Sequence, residues 1–128
     1  MKQGFVKVAS ATPRIRVADP VYNAQVICEQ AKEAAEHGAK IVVFPELCIT
    51  GYTCNDLFLQ ELLLEKAKEA LLTIAEETGQ LETLFLVGLP VDKDGRLYNV
   101  AAVLYRGRIL GMIPKKNIPM YAEFYEGR

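Results

Sequence analysis

Histidine is almost absent from this chain of 128 residues, His37 being the only one. A Ser-His or Cys-His catalytic pair would need that single residue, which stands beside Gly38 in the helix-ending stretch "EHGAK". There the negative end of a helix dipole favours a solvated histidine, so no triad is assembled. Cysteine is scarce too. Cys28, Cys48 and Cys54 are odd in number and lack metal-ligand spacing. That argues against a disulfide framework and for reduced thiols in a cytoplasmic protein. Neither sign of charge dominates: fifteen basic and sixteen acidic residues leave a net charge of -1. This gives no electrostatic reason to expect nucleic acid or an anionic membrane as partner. No apolar run approaches the roughly 20 residues of a membrane helix, and the first residues show no charged-then-apolar signal pattern. A phosphate-cradling glycine loop is also missing. "DKDG" at 92 to 95 starts like a calcium loop but lacks the rest, and reads as a hairpin turn.

What is present is ordinary globular material, 51% hydrophobic and 24% charged, about enough for one domain. Phe5 to Ala11 reads as a strand. Asp19-Pro20 looks like an N-cap followed by proline at the first helical position. The helix it opens carries Val21, Ala24, Ile27, Cys28, Ala31, Ala34 and Ala35 on one face and closes at Gly38. "KIVVF" is a short apolar strand of the doubly buried kind. After a loop from Pro45 to Asn55, Asp56 can cap a second helix running to about Thr78, with Leu57, Leu62, Leu63, Ala67, Ala70, Leu71 and Ile74 inward. "TLFLVGLP" is a third strand, and a hairpin with Arg106-Gly107 at its tip follows. The order β-α-β-α-β-β-β predicts an α/β domain with helices packed on a sheet. There are no internal repeats and no low-complexity linker.

The stretch "IVVFPELCITGY", residues 41 to 52, raises the chemical question. Glu46 lands among apolar neighbours just past a strand, where open α/β sheets gather their reactive groups. Burying an ionised carboxylate costs several kcal/mol unless it is paired. Spacing alone leaves two readings open: a functional carboxylate, or one that caps a turn or pairs with a lysine.

A resemblance decides between them. "VVFPELCITGYTCNDLF" resembles the catalytic-glutamate segment of the nitrilase superfamily, the carbon-nitrogen hydrolases. "RLYNVAAVLYRGRILGMIPKKNIPMYAEFYEGR" resembles the segment carrying that family's catalytic lysine. Within the superfamily, "TGYTCNDLF" and "PKKNIPMYAEFYEGR" are most similar to the N-terminal glutaminase domains of glutamine-dependent NAD synthetases. The resemblance implies a nitrilase-like four-layer α-β-β-α sandwich, of which residues 1-128 would be only the N-terminal part. It also implies that Glu46 is the general base, Lys115 the catalytic lysine and Glu123 the second glutamate bordering the site. Tyr52 and Tyr121 would line the substrate pocket, while Asn99 is read as a supporting turn or strand residue.

The implied reaction is hydrolysis of the glutamine amide, supplying ammonia for NAD synthesis. A cysteine attacks the amide, the glutamate takes its proton and later activates water, and the lysine ammonium steadies the tetrahedral intermediate. The family's nucleophile falls on a later strand-to-helix turn that these residues do not include. Cys28 reads as core, Cys48 as packed behind the loop, and no motif makes Cys54 the nucleophile. No cofactor is expected in this segment; ATP and Mg are implied only for a synthetase domain beyond it. Glutamine, that synthetase domain and a second copy in a homo-oligomer are the implied partners. Taken alone, the fragment is expected to be inactive and to associate through an uncovered sheet edge and an apolar face, with the helix face bearing Leu63, Ala67, Ala70 and Ile74 needing a cover from outside. Another carbon-nitrogen hydrolase, an amidase or carbamoylase, stays open as an alternative, as does a non-catalytic α/β binding module.

Overall fold

A computed structural model describes residues 4–51 and 61–115. Asp19 caps the first helix, α1 (Pro20–Glu36), by accepting a hydrogen bond from the Tyr22 amide at 3.1 Å, and Pro20 supplies the preset φ of the first turn. Gly38, in the left-handed region, ends it. The second helix, α2 (Glu61–Glu77), lies against α1, and alanines 24 and 31 of α1 and 67 and 70 of α2 are buried.

The strands form one mixed sheet. In chain order they are β1 (Val8–Ser10), β2 (Ile41–Val43), β3 (Leu84–Lys93), β4 (Arg96–Tyr105) and β5 (Arg108–Pro114), and their spatial order is the same. β1, β2 and β3 run parallel through the two helical crossovers, whereas β3, β4 and β5 are an antiparallel meander. The two hairpin tips, Asp94-Gly95 and Arg106-Gly107, hold positive φ at both residues. That backbone matches the right-handed twist of the flanking strands. Both turns stand where the sequence places them.

Both helices cover the same face of the sheet. Val42, Phe85, Val87, Leu89, Ala102 and Leu104 point into them and are buried with Ile27, Leu71 and Ile74. The opposite face, with Val43, Leu86, Ala101, Val103 and Ile113, stays half-buried or exposed. The chain thus supplies one helical and one sheet layer, an α/β arrangement that agrees with two adjacent layers of the expected sandwich.

Three expectations are corrected. Val21 and Leu62, assigned to the inner helix faces, are exposed. Leu62 shares its stripe with Lys66, Glu69 and Thr73, about one residue's rotation away from the Leu63-Ala67-Ala70-Ile74 stripe. That second stripe needs no cover from outside, because α1 and the sheet of the same chain already bury it. β1 is much shorter than Phe5 to Ala11, since its neighbour β2 offers only three residues to pair with. No helix among the described residues is long and apolar enough to cross a membrane.

Candidate functional site

Glu46 sits one turn beyond β2. Phe44 makes the last ladder contact, donating its amide to Leu86 O at 2.9 Å, and the chain then folds into two overlapping turns. Cys48 N donates to Pro45 O at 3.2 Å, and Gly51 N donates to Leu47 O at 2.7 Å. Between them Leu47 is buried in the left-handed region at φ 54. A bulky residue held there costs roughly 1–3 kcal/mol and persists only where its surroundings over-determine it.

Those surroundings include a residue that sequence reasoning missed. Asn23 on α1 is fully buried, and its side chain makes three hydrogen bonds of 2.7 Å. It accepts from Arg16 N and donates to Arg16 O and to Ile49 O. One amide thus ties the helix layer to both the loop before α1 and the turn that carries Glu46. Thr50 O accepts a further 2.8 Å bond from Ala18 N. A buried asparagine within an otherwise apolar helical stripe was the signal available, since such a group needs partners of its own.

Lys115 follows β5 directly, and its amide bonds Asn99 O on β4 at 2.8 Å. Its ammonium lies 3.0 Å from the Glu46 carboxylate, with side chains 24% and 35% exposed respectively. The carboxylate beside Phe44 and Leu47 is therefore paired, which answers how it tolerates its setting. Carboxylate and ammonium face a cavity of about 330 Å³ floored by Leu86, Gly88, Asn99 and Ala101. The cavity opens on the uncovered face of the sheet, at the carboxyl ends of β2 and β5. A larger depression of about 520 Å³ runs between α1 and α2 over Cys28, and it includes neither residue of the pair.

The structure thus brings two of the five sequence-assigned site residues together. Tyr52, Tyr121 and Glu123 lie outside the described residues, as does Cys54. Of the described cysteines, Cys28 is buried in the helix layer and Cys48 behind the turn. Burial pushes the Cys48 thiol up to about 12 and raises that of Cys28 as well. Both are therefore poor nucleophiles near neutrality, because the thiolate is the attacking form. Among the described residues, no three His, Cys, Asp or Glu side chains gather as a metal ion would require.

The carbon-nitrogen hydrolase family profile matches residues 7–126. Glutamine-dependent NAD(+) synthetase of Mycobacterium bovis is 40% identical over 127 residues, covering 99% of this chain and 19% of its own length. The chain therefore spans about a fifth of that relative. A solved glutamine-dependent NAD(+) synthetase from Cytophaga hutchinsonii superposes with a TM-score of 0.83 at 30% identity, over 89% of this chain and 19% of its own. An amidase from Nesterenkonia shares the fold, with a TM-score of 0.79 at 23% identity over all of this chain and 50% of its own.

Proposed function

Because the chain belongs to the carbon-nitrogen hydrolase family, we propose that residues 1–128 are the N-terminal part of a glutaminase domain in a glutamine-dependent NAD synthetase. In this reading the domain releases ammonia from glutamine. The observation that carries it is the 3.0 Å approach of Lys115 to Glu46 at the mouth of a cavity. A base beside a cation is what acyl transfer from an amide requires.

The nucleophile in this reading is a cysteine outside the described residues, since Cys28 and Cys48 are buried and held protonated. Its sulfur attacks the carboxamide carbon while Glu46 accepts the thiol proton. The carbonyl oxygen, now anionic, is stabilised by the Lys115 ammonium. Glu46 passes the proton to the departing nitrogen, ammonia leaves, and a thioester remains. Glu46 then takes a proton from water, and the hydroxide attacks the thioester. The carbon–sulfur bond breaks, glutamate departs, and Glu46 returns its proton to the sulfur, restoring the thiol. General base catalysis contributes about 10²- to 10⁴-fold to such a step. Glu123 borders the site and Tyr52 and Tyr121 line the glutamine pocket in the same reading. ATP and Mg belong to a synthetase domain that receives the ammonia, and the protein works in the cytoplasm as a homo-oligomer.

The test uses the full-length enzyme. Glu46→Gln should abolish glutamine-dependent NAD formation and leave ammonia-dependent formation intact. Loss of both activities together would remove the support for Glu46 as base. The shared fold of the amidase favours a second reading, a free-standing hydrolase of simple amides. Ammonia release from glutamine compared with propionamide separates the two.

A further inference from the structure

We propose that Gly88 is a positioning residue for Glu46: having no side chain, it lets the turn after β2 lean across β3 so that the carboxylate reaches Lys115. The inference rests on the reading of Glu46 as the base. β2 and β5 are three strand spacings apart in the sheet order, roughly 14 Å at about 4.8 Å each. Side chains leaving the ends of those strands do not meet unless one chain crosses the strands between them.

The crossing takes place over Gly88. A Cβ at this position would lie 2.4 Å from Leu47 N, 2.8 Å from Pro45 O and 3.0 Å from the carbonyl carbon of Glu46. All three are backbone atoms of the turn itself, so no flexible side chain can swing aside to make room. Gly88 has no positive φ; glycine is needed here for space, not for a backbone conformation. Glycine also weakens a strand interior, so its place in the middle of a ten-residue strand wants a reason. The same residue holds the far end of the turn, its carbonyl accepting from Ile49 N at 3.1 Å and from the Cys48 thiol at 3.7 Å. The turn is therefore pressed onto Gly88 and tied to it. On β4 the neighbour opposite Gly88 is Ala101, another small residue, which keeps the path to Lys115 low.

A glycine that served only packing would alter stability and leave the chemistry of each folded molecule unchanged. In the full-length enzyme, Gly88→Ala should lower kcat for glutamine hydrolysis about 100-fold, the effect of misplacing a catalytic group by about 1 Å. KM for glutamine should stay within roughly twofold, and ammonia-dependent NAD formation should be unchanged. Ile27→Val serves as the control, a core change in α1 that should lower the melting temperature with kcat preserved. If Gly88→Ala does not fold, the double variant Gly88→Ala/Leu47→Gly gives the turn freedom to relocate; it should fold and keep the low kcat. Wild-type kcat in either variant overturns the proposal. Glu46→Gln, run in parallel, separates the two layers of inference. If that variant keeps its glutaminase activity, the base assignment fails; if it is dead while Gly88→Ala is fully active, only the role of Gly88 fails.

Discussion

The two faces of this sheet are built from similar residues and do different things. On the helix side, Val42, Phe85, Val87, Leu89 and Leu104 are each 0–1% exposed and interlock with α1 and α2. On the other side, Val43 and Ile113 are 40% and 57% exposed, and the same face carries the Glu46–Lys115 pair and its cavity. Stability is concentrated where water has been removed, and the charged pair stands where one side remains open. An apolar surface this continuous beside a charged pair is not a typical free surface. It suits a face that takes a second layer in the proposed domain.

Replacing equivalent residues on the two faces should expose that asymmetry most strongly. Phe85→Ala is expected to cost about 3–5 kcal/mol in denaturant unfolding, the usual range for a large residue removed from a packed core. Ile113→Ala in the same 128 residues should cost less than about 1 kcal/mol, because most of that side chain already meets water. Equal losses at the two positions would mean that the open face is covered in solution, and light scattering on the same samples would show by what.

A smaller effect is expected at the joint between the layers. Asn23→Ala leaves the carbonyls of Arg16 and Ile49 and the Arg16 amide without their partner. Each buried group so orphaned costs about 1–3 kcal/mol, offset by whatever water can enter. A loss of about 3 kcal/mol should appear in thermal or denaturant unfolding, and exchange of the amide hydrogens from 44 to 51 should quicken. A loss under about 0.5 kcal/mol would show that the turn stands without its clamp.

The gentlest probe is alkaline titration. Burial lifts the Cys48 thiol from 9.0 to about 12. Its protonated form is thus favoured in the folded state, and the contribution to stability is complete below pH 9. Above that the unfolded chain releases the proton first, and stability should fall by roughly a kcal/mol for each pH unit until the folded thiol also ionises near 12. Cys48→Ala should flatten this slope. A slope unchanged by the substitution would assign the alkaline loss to other groups.

Much of this was legible in the sequence, for identifiable reasons. Alternating apolar runs, the Asp19-Pro20 cap and the paired positive-φ turns are local signals, and all seven elements stand in the predicted order. Glu46 and Lys115 were readable from two motifs and meet as one ion pair. Val21 and Leu62 were misplaced because apolar residues at the border of a helical stripe look the same in one dimension whether they face the sheet or the solvent. Asn23 and Gly88 gave little warning. Their importance lies in partners that approach from other parts of the chain, such as Ile49 and the Pro45–Leu47 turn, and no local pattern records those approaches.

The mixed topology also sets a sequence of events in time. β3, β4 and β5 are joined by two tight turns, so their pairing closes short loops and can form early. β2 reaches β3 only after α2 and its connections have been brought back across the sheet, a non-local and slower step. Lys115 belongs to the early half and Glu46 to the late one. Loop-closure entropy therefore leads us to expect the ion pair among the last contacts to close during folding, with the ammonium at the edge of an already formed hairpin when the carboxylate reaches it.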